Sequence, residues 1–274
     1  MSDGIKRHAK FIKTVPPSTK DPAFCGIFSS VNSVQQLSMV KYDIDMKYRK
    51  GFSFYNYDPG DKKRLKRMMV EFQMGFKFLE RFENNRVVSV FGSHLDKEGE
   101  KEYEQAKRLG SLLAKENIVV LTGGGPGTME AANRGASEAG GRSVGINLEL
   151  GKQEQRNPYV KEKLCFHYLF IRRVMLAYAA QAYVFFPGGF GTLDEFFEIA
   201  ALVVTEKINQ KIPIILIGRD YWGSLKKWME EMPLKKHRAI FKHEFFFWKI
   251  VDDEKQAFEI LKKIPTCFER HESV

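Results

Sequence analysis

The chain has 274 residues, 43% of them hydrophobic and 28% charged, with 44 Lys and Arg against 34 Asp and Glu. This is globular composition, which excludes a disordered, collagenous or disulfide-rich chain. No run of about 18 apolar residues occurs, which excludes a membrane-spanning helix; no membrane partner is expected.

The N-terminal stretch has no apolar h-region, so a secretory signal is not expected. Cys25, Cys165 and Cys267 are widely separated and lack CxxC spacing. They fit neither a disulfide framework nor a zinc site, and reduced thiols in a cytoplasmic protein are the simpler expectation.

The net charge of +10 is unevenly placed: residues 1–85 carry 16 basic and 9 acidic side chains, and the remainder 28 and 25. A basic segment can attract nucleic acid. Only Lys62-Lys63-Arg64 and Lys66-Arg67 are clustered, however, and no recognition motif accompanies them, so a nucleic-acid partner is not expected.

In chain order, residues 1–85 form a basic N-terminal extension punctuated by Pro16-Pro17, Pro22 and Pro59-Gly60. Asp61 is placed to cap a helix running to about Phe82. Its apolar residues Leu65, Met68, Met69, Phe72, Phe76 and Leu79 recur at three- and four-residue steps. The pattern predicts an amphipathic helix laid against the main domain.

From residue 86 to about 265 short apolar runs alternate with helical patterns, and residues 266–274 are left as a tail. Val87–Phe91 reads as a buried strand, followed by a helix from about Glu100 to Glu116. A second strand, Ile118–Leu121, ends in Thr122-Gly123-Gly124-Gly125-Pro126-Gly127, and a helix follows from about Thr128 to Ala139. Strands at Ser143–Asn147, Tyr183–Phe186, Pro213–Ile217 and around Ile250 come next. Helices are predicted near Leu193–Thr205, Tyr221–Met232 and Asp253–Lys263. This alternation predicts an α/β fold, a Rossmann-like doubly wound parallel sheet with helices on both faces, preceded by the helix-containing extension.

Two glycine loops are built alike. Gly124-Gly125-Pro126-Gly127-Thr128 and Gly188-Gly189-Phe190-Gly191-Thr192 each follow an apolar strand and open a helix. Glycines let a backbone turn tightly and approach a ligand closely, and the free N–H groups of a helix start favour phosphate. Thr192 is placed to add a hydroxyl donor, and Thr128 plays a similar part in the first loop. Neither loop carries the Lys of a Walker A motif or the third glycine of the dinucleotide fingerprint. Two such loops in one sheet point to a crevice at its carboxyl edge. Arg172-Arg173 lie between them, and Glu195 follows Gly191 by four residues, about one turn from a bound phosphate. A guanidinium suits phosphate or developing negative charge, and the carboxylate suits water activation or a cationic transition state.

His167, His237 and His243 lack metal-ligand spacing, and no Asp-rich cluster is present, so neither a metal nor another cofactor is expected. Phe196-Phe197 reads as core rather than a stacking platform.

These motifs resemble those of the LOG ("lonely guy") family, often mislabelled as lysine decarboxylases. The matching segments are VFGS (90–93), GGGPGTMEAANRGASEAGG (123–141), EQRNPY (154–159), FIRRVM (170–175) and PGGFGTLDE (187–195). No pyridoxal-binding Lys with its partners is marked. The resemblance implies hydrolysis of a nucleoside 5′-monophosphate, cytokinin ribotides included, to free base and ribose 5-phosphate by a homodimer or higher assembly. It further implies that Arg172 and Glu195 are catalytic. Gly124, Gly125, Glu154, Arg173, Gly188, Gly189, Phe190, Gly191 and Thr192 are then substrate-binding. Ala200-Ala201 stand where many relatives carry a Thr, which leaves base preference open. A non-catalytic carrier of a nucleotide or of a phosphorylated cofactor such as molybdenum cofactor is the alternative on the same fold.

Overall fold

A computed structural model describes residues 62–149, 157–245 and 247–266. The predicted extension before residue 62, its cap Asp61, Glu154, Cys25 and Cys267, and the tail beyond 266 lie outside the described residues. The described residues belong to one unit, Gly60–Val274.

Its centre is a seven-stranded parallel sheet. The strands are β1 (Arg86–Phe91), β2 (Ile118–Thr122), β3 (Ser143–Leu148), β4 (Glu162–Phe166), β5 (Ala182–Phe185), β6 (Ile214–Ile217) and β7 (Trp248–Val251), in the order β4-β3-β2-β1-β5-β6-β7. The helices are α1 (Lys62–Leu79), α2 (Lys101–Lys115), α3 (Thr128–Glu138), α4 (Leu169–Tyr178), α5 (Phe190–Val204), α6 (Arg219–Met229) and α7 (Glu254–Leu261). The chain steps outward from β1 to β2, β3 and β4, then returns to place β5 on the other side of β1. The reversal opens a crevice at the carboxyl ends of β1 and β5, where open α/β sheets bind ligands.

The inner strands, such as Val87-Val88-Ser89-Val90 and Ile214-Ile215-Leu216-Ile217, are apolar on both faces because helices cover both. Alternate residues go to opposite cores. Val87, Phe91, Leu121, Tyr183 and Phe185 face a core shared with α1, α4, α5 and α6. Val88, Val90, Val120, Val184 and Ile215 face α2, α3 and α7. In the first core Phe185 stacks on Phe91 with centroids 4.8 Å apart, and Phe196 of α5 stacks on Trp248 at 4.7 Å. Phe196 is core, as its pattern predicts, whereas its neighbour Phe197 is exposed.

The predicted amphipathic helix is α1. It buries Leu79 and packs Met68 and Phe72 onto the α4 side of the sheet. Glu71 accepts the backbone N–H groups of His167 (3.1 Å) and Tyr168 (3.2 Å), just before α4 begins. Two elements have no counterpart in the sequence reading: β4 and α4. β4 is an edge strand with polar Glu162 and Lys163, and Arg142 holds Glu162 at 2.9 Å and 3.1 Å. Helix α5 starts at Phe190, three residues earlier than its apolar pattern, because Phe190-Gly191-Thr192 is a helical first turn.

Helices α2 and α3 lie unusually close at Gly110 and Gly135. A Cβ on Gly135 would stand 1.8 Å from the Lys107 carbonyl oxygen. Alanine would gain about 1 kcal/mol in helix propensity, but overpacking against backbone costs about 1–3 kcal/mol and more where little can shift. Gly135→Ala is therefore expected to lower the urea midpoint, which equilibrium unfolding measures; an unchanged or raised midpoint would show that the helices separate freely.

Candidate active site

The strand ends bring the two glycine loops together around β1. The Ser93 N–H donates to the Pro187 carbonyl (3.1 Å), and the Thr128 N–H donates to the Ser93 carbonyl (2.9 Å). Glycine at 92 permits this, because a Cβ there would lie 2.5 Å from the Thr128 hydroxyl. The segment after β1 thus connects the start of α3 to the loop that opens α5.

The first loop is shaped by side chains the sequence reading did not single out. The Thr122 hydroxyl accepts from the Gly124 N–H (2.9 Å) and donates to Asn133 Oδ1 (2.6 Å). Asn147 Nδ2 donates to the Gly124 carbonyl (3.1 Å) and Asn157 Nδ2 to the Gly125 carbonyl (3.2 Å). Gly124 has φ of +69°, a left-handed conformation that suits glycine. In the second loop the Tyr221 hydroxyl donates to the Gly188 carbonyl (2.6 Å) and the Thr192 hydroxyl to the Gly92 carbonyl (3.0 Å). The Thr192 proton is therefore directed into the fold.

Arg172, at the end of the first turn of α4, reaches across the crevice. Its Nε donates to the Ile146 carbonyl (2.8 Å) and its Nη2 to the Gly123 carbonyl (3.4 Å), while Nη1 stands 3.7 Å from Glu195 Oε1. Both side chains are only 14% exposed. Burial pushes the Glu195 carboxyl up to about 7, against the downward pull of Arg172 and with a further push from Asp194 and Glu198. Burial lowers the pKa of Arg172 from its ordinary value, opposed by Glu195 and Cys165. A guanidinium stays protonated in proteins even so. The pair is a cation fixed beside a carboxyl group that can change its charge near neutral pH.

Arg173 faces α5 instead, with ion pairs to Asp194 and, through Nε at 3.3 Å, Glu198. Gly188, Gly189, Phe190 and Gly191 gather at the start of α5, and Phe190 is 95% exposed. Gly124 and Gly125 lie in the first loop beside Arg172. The residues missed by sequence reading are Thr122, Asn133, Asn147, Asn157, Tyr221 and Asp96. The last of these accepts from the Thr128 hydroxyl. Asn133 and Asn157 lie inside motifs already singled out, but their partners come from separate elements and no spacing marks them. Among the described residues no group of His, Cys, Asp and Glu could hold a metal ion, and no helix is long and apolar enough to cross a membrane.

Residues 129–261 match the model of a family described as possible lysine decarboxylase. The chain is 27% identical over 177 residues to the pyrimidine/purine nucleotide 5′-monophosphate nucleosidase of Escherichia coli K12, covering 60% of this chain and 38% of that protein. It therefore spans less than half the length of this curated relative. It is 26% identical over 146 residues to the cytokinin riboside 5′-monophosphate phosphoribohydrolase of Rhodococcoides fascians, covering 52% of this chain and 73% of that one. The fold is similar to that of the molybdenum cofactor binding protein from Rippkaea orientalis, with a TM-score of 0.51 and 21% identity over 65% of this chain and 96% of that one. The family match covers residues 129–261, just under half of the chain, and within and around it lie the motifs that resemble those of the LOG family.

Proposed function

We propose that this chain hydrolyses the N-glycosidic bond of a nucleoside 5′-monophosphate, releasing the base and ribose 5-phosphate. The observation that carries the reading is the buried Arg172–Glu195 pair, 3.7 Å apart, with Arg172 on α4 and Glu195 about one turn inside α5, the helix opened by the second glycine loop.

The phosphate is assigned to the start of α5, because two neighbouring helix starts already have carboxylates of their own. Asp96 stands at α3 through Thr128, and Glu71 takes the N–H groups of His167 and Tyr168 at α4. At α5 the first-turn N–H groups of Phe190, Gly191 and Thr192 have no helical acceptor. An anion there gains both these donors and the helix dipole. A Cβ on Gly189 or Gly191 would meet nothing within 4 Å among the described residues, so the fold leaves room for a ligand close to that backbone.

With the phosphate so placed, the ribose extends toward Glu195. Cleavage passes through an oxocarbenium-like sugar, as in glycoside hydrolysis. The Glu195 carboxylate stabilises that cation and takes a proton from the attacking water. The water oxygen bonds to C1′, the C1′–N electron pair leaves with the base, and the base nitrogen takes up a proton equivalent to the one Glu195 accepted from the water, which restores the carboxylate. Arg172 supports the phosphate or the departing base and lowers the cost of keeping Glu195 ionised. Exposed Leu169, Phe190 and Phe197 on α4 and α5 are surfaces that a second copy would cover, and sedimentation equilibrium is expected to report a homodimer or larger assembly. A carrier of a phosphorylated cofactor would need the anion site but not the desolvated carboxylate, so the pair favours the hydrolase.

Incubation with AMP, GMP, IMP, CMP, UMP and a cytokinin ribotide, followed by chromatography of base and ribose 5-phosphate, tests the reading. Glu195→Gln is expected to lose roughly 10²–10⁴-fold in kcat with little change in nucleotide affinity, and Arg172→Ala to lose base release as well. Tight binding without release in the wild type would make the chain a carrier instead.

A second expectation concerns pH. Glu195 must be ionised to act, so kcat/KM should rise with pH through a midpoint near 7. Glu195→Gln should lack that limb. A wild-type profile flat across neutrality would remove Glu195 from the base role.

A further inference from the structure

The β2–β3 ladder ends with Thr122 opposite Gly145. The two carbonyls that hold Arg172, those of Gly123 and Ile146, lie just beyond it. Among the described residues, the Asn147 side chain supplies the bond between β3 and the first glycine loop at this point, its Nδ2 donating to the Gly124 carbonyl at 3.1 Å. Each end of that bond is one residue from an acceptor of Arg172. Gly124 is shaped to receive it, because a Cβ there would lie 2.3 Å from Asn147 Oδ1. Asn147 Oδ1 is itself buried and has no hydrogen-bond partner among the described residues, so among these the amide is held at this place by its donor side.

We propose that Asn147 is a positioning residue: it extends the β2–β3 pairing past the end of the ladder and thereby fixes the two carbonyls that aim Arg172 at Glu195. The importance of that aim for turnover rests on the hydrolase reading above. The mechanical part does not.

The groups that bear on Glu195 are Arg172 and Arg173 of α4 and Asp194 and Glu198 of α5, while Cys165 of β4 bears on Arg172. Arg173 is held by Asp194 and Glu198, independently of β3 and the loop. Loss of the Asn147 bond therefore acts on Glu195 through Arg172. With the guanidinium free to drift, the Glu195 carboxyl loses part of its stabilising partner and titrates at higher pH.

The experiment is a ¹³C NMR titration of the Glu195 carboxyl in the full chain, its signal assigned by loss in Glu195→Gln, alongside steady-state kinetics on AMP. Asn147→Ala is expected to raise the Glu195 midpoint by roughly half a unit or more, within what an opposite charge a few ångströms away supplies. It should also lower kcat about 10- to 100-fold, the effect of an ångström-scale misplacement, with KM little changed. Should the alanine variant not fold, Asn147→Leu keeps the volume without the donor and supplies the same readout. A folded variant with the wild-type Glu195 midpoint overturns the proposal. A raised midpoint in a chain whose wild type releases no base supports the positioning role and overturns the hydrolase reading, so the two failures are separable.

Discussion

Keeping a guanidinium and a carboxylate out of water at the edge of a sheet is the constraint around which this structure is arranged. Desolvating an ion costs several kcal/mol, and the attraction between partners repays it only with good geometry and additional hydrogen bonds. At 3.7 Å the Arg172–Glu195 contact is not a closed bidentate pair, and much of the compensation for Arg172 comes from the Ile146 and Gly123 carbonyls. Those carbonyls are available because the β2–β3 ladder ends at Thr122 and Gly145, β3 running on beside β4, and the loop after β2 is glycine. A Cβ on Gly123 would fall 1.9 Å from Arg172 Nη2. Gly123 thus makes room for the arginine itself. Glu195 receives less help, and its carboxyl is raised to about 7 by burial. A stability-optimised fold would not place it so, which is why perturbed carboxyls of this kind gather at functional sites.

The same accounting separates two loops that look equivalent in sequence. Both follow a strand and both open a helix, yet their glycines answer to different neighbours. In the first loop the glycines at 123 and 124 make way for Arg172 and Asn147, and the start of α3 has Asp96 beside it through Thr128. In the second, Gly188 makes way for Thr192, while Gly189 and Gly191 make way for nothing among the described residues. A likeness of pattern therefore conceals a difference: the first loop makes room for Arg172 and Asn147, and the second leaves Gly189 and Gly191 clear of the other described residues.

What the sequence made legible follows from which forces are local. The inner strands are apolar on both faces because helices cover both, so they read as continuous runs and predict the parallel sheet directly. The glycine loops and Glu195 are close enough to helix starts for motif spacing to place them, whereas Arg172 stands out by lying between the loops and by the family resemblance, its helix α4 being unread in the sequence. Strand β4 escapes because it is an edge strand whose Glu162 and Lys163 interrupt the apolar pattern, and its stability derives from pairing with β3 and from Arg142. The start of α5 escapes because glycines mask a helical first turn. The asparagines escape for a different reason. Asn133, Asn147 and Asn157 act through partners brought together only by tertiary structure, and an isolated polar side chain does not announce a buried network.

Fold likeness cannot choose between a hydrolase and a carrier here, since the sheet and its switch-point crevice serve both. The chemical difference lies in what happens at C1′. A carrier gains affinity from an anion site and loses it by burying a carboxyl group nearby, because an ionised Glu195 repels the phosphate and a neutral one offers it little. A hydrolase gains from that same carboxyl as positive charge develops on the sugar, when the unfavourable ground-state neighbour becomes a favourable transition-state one. A buried glutamate next to the proposed anion site is costly for binding and useful for bond cleavage. Its presence beside an arginine held by two backbone carbonyls argues for the enzyme on physical grounds independent of the relatives' names.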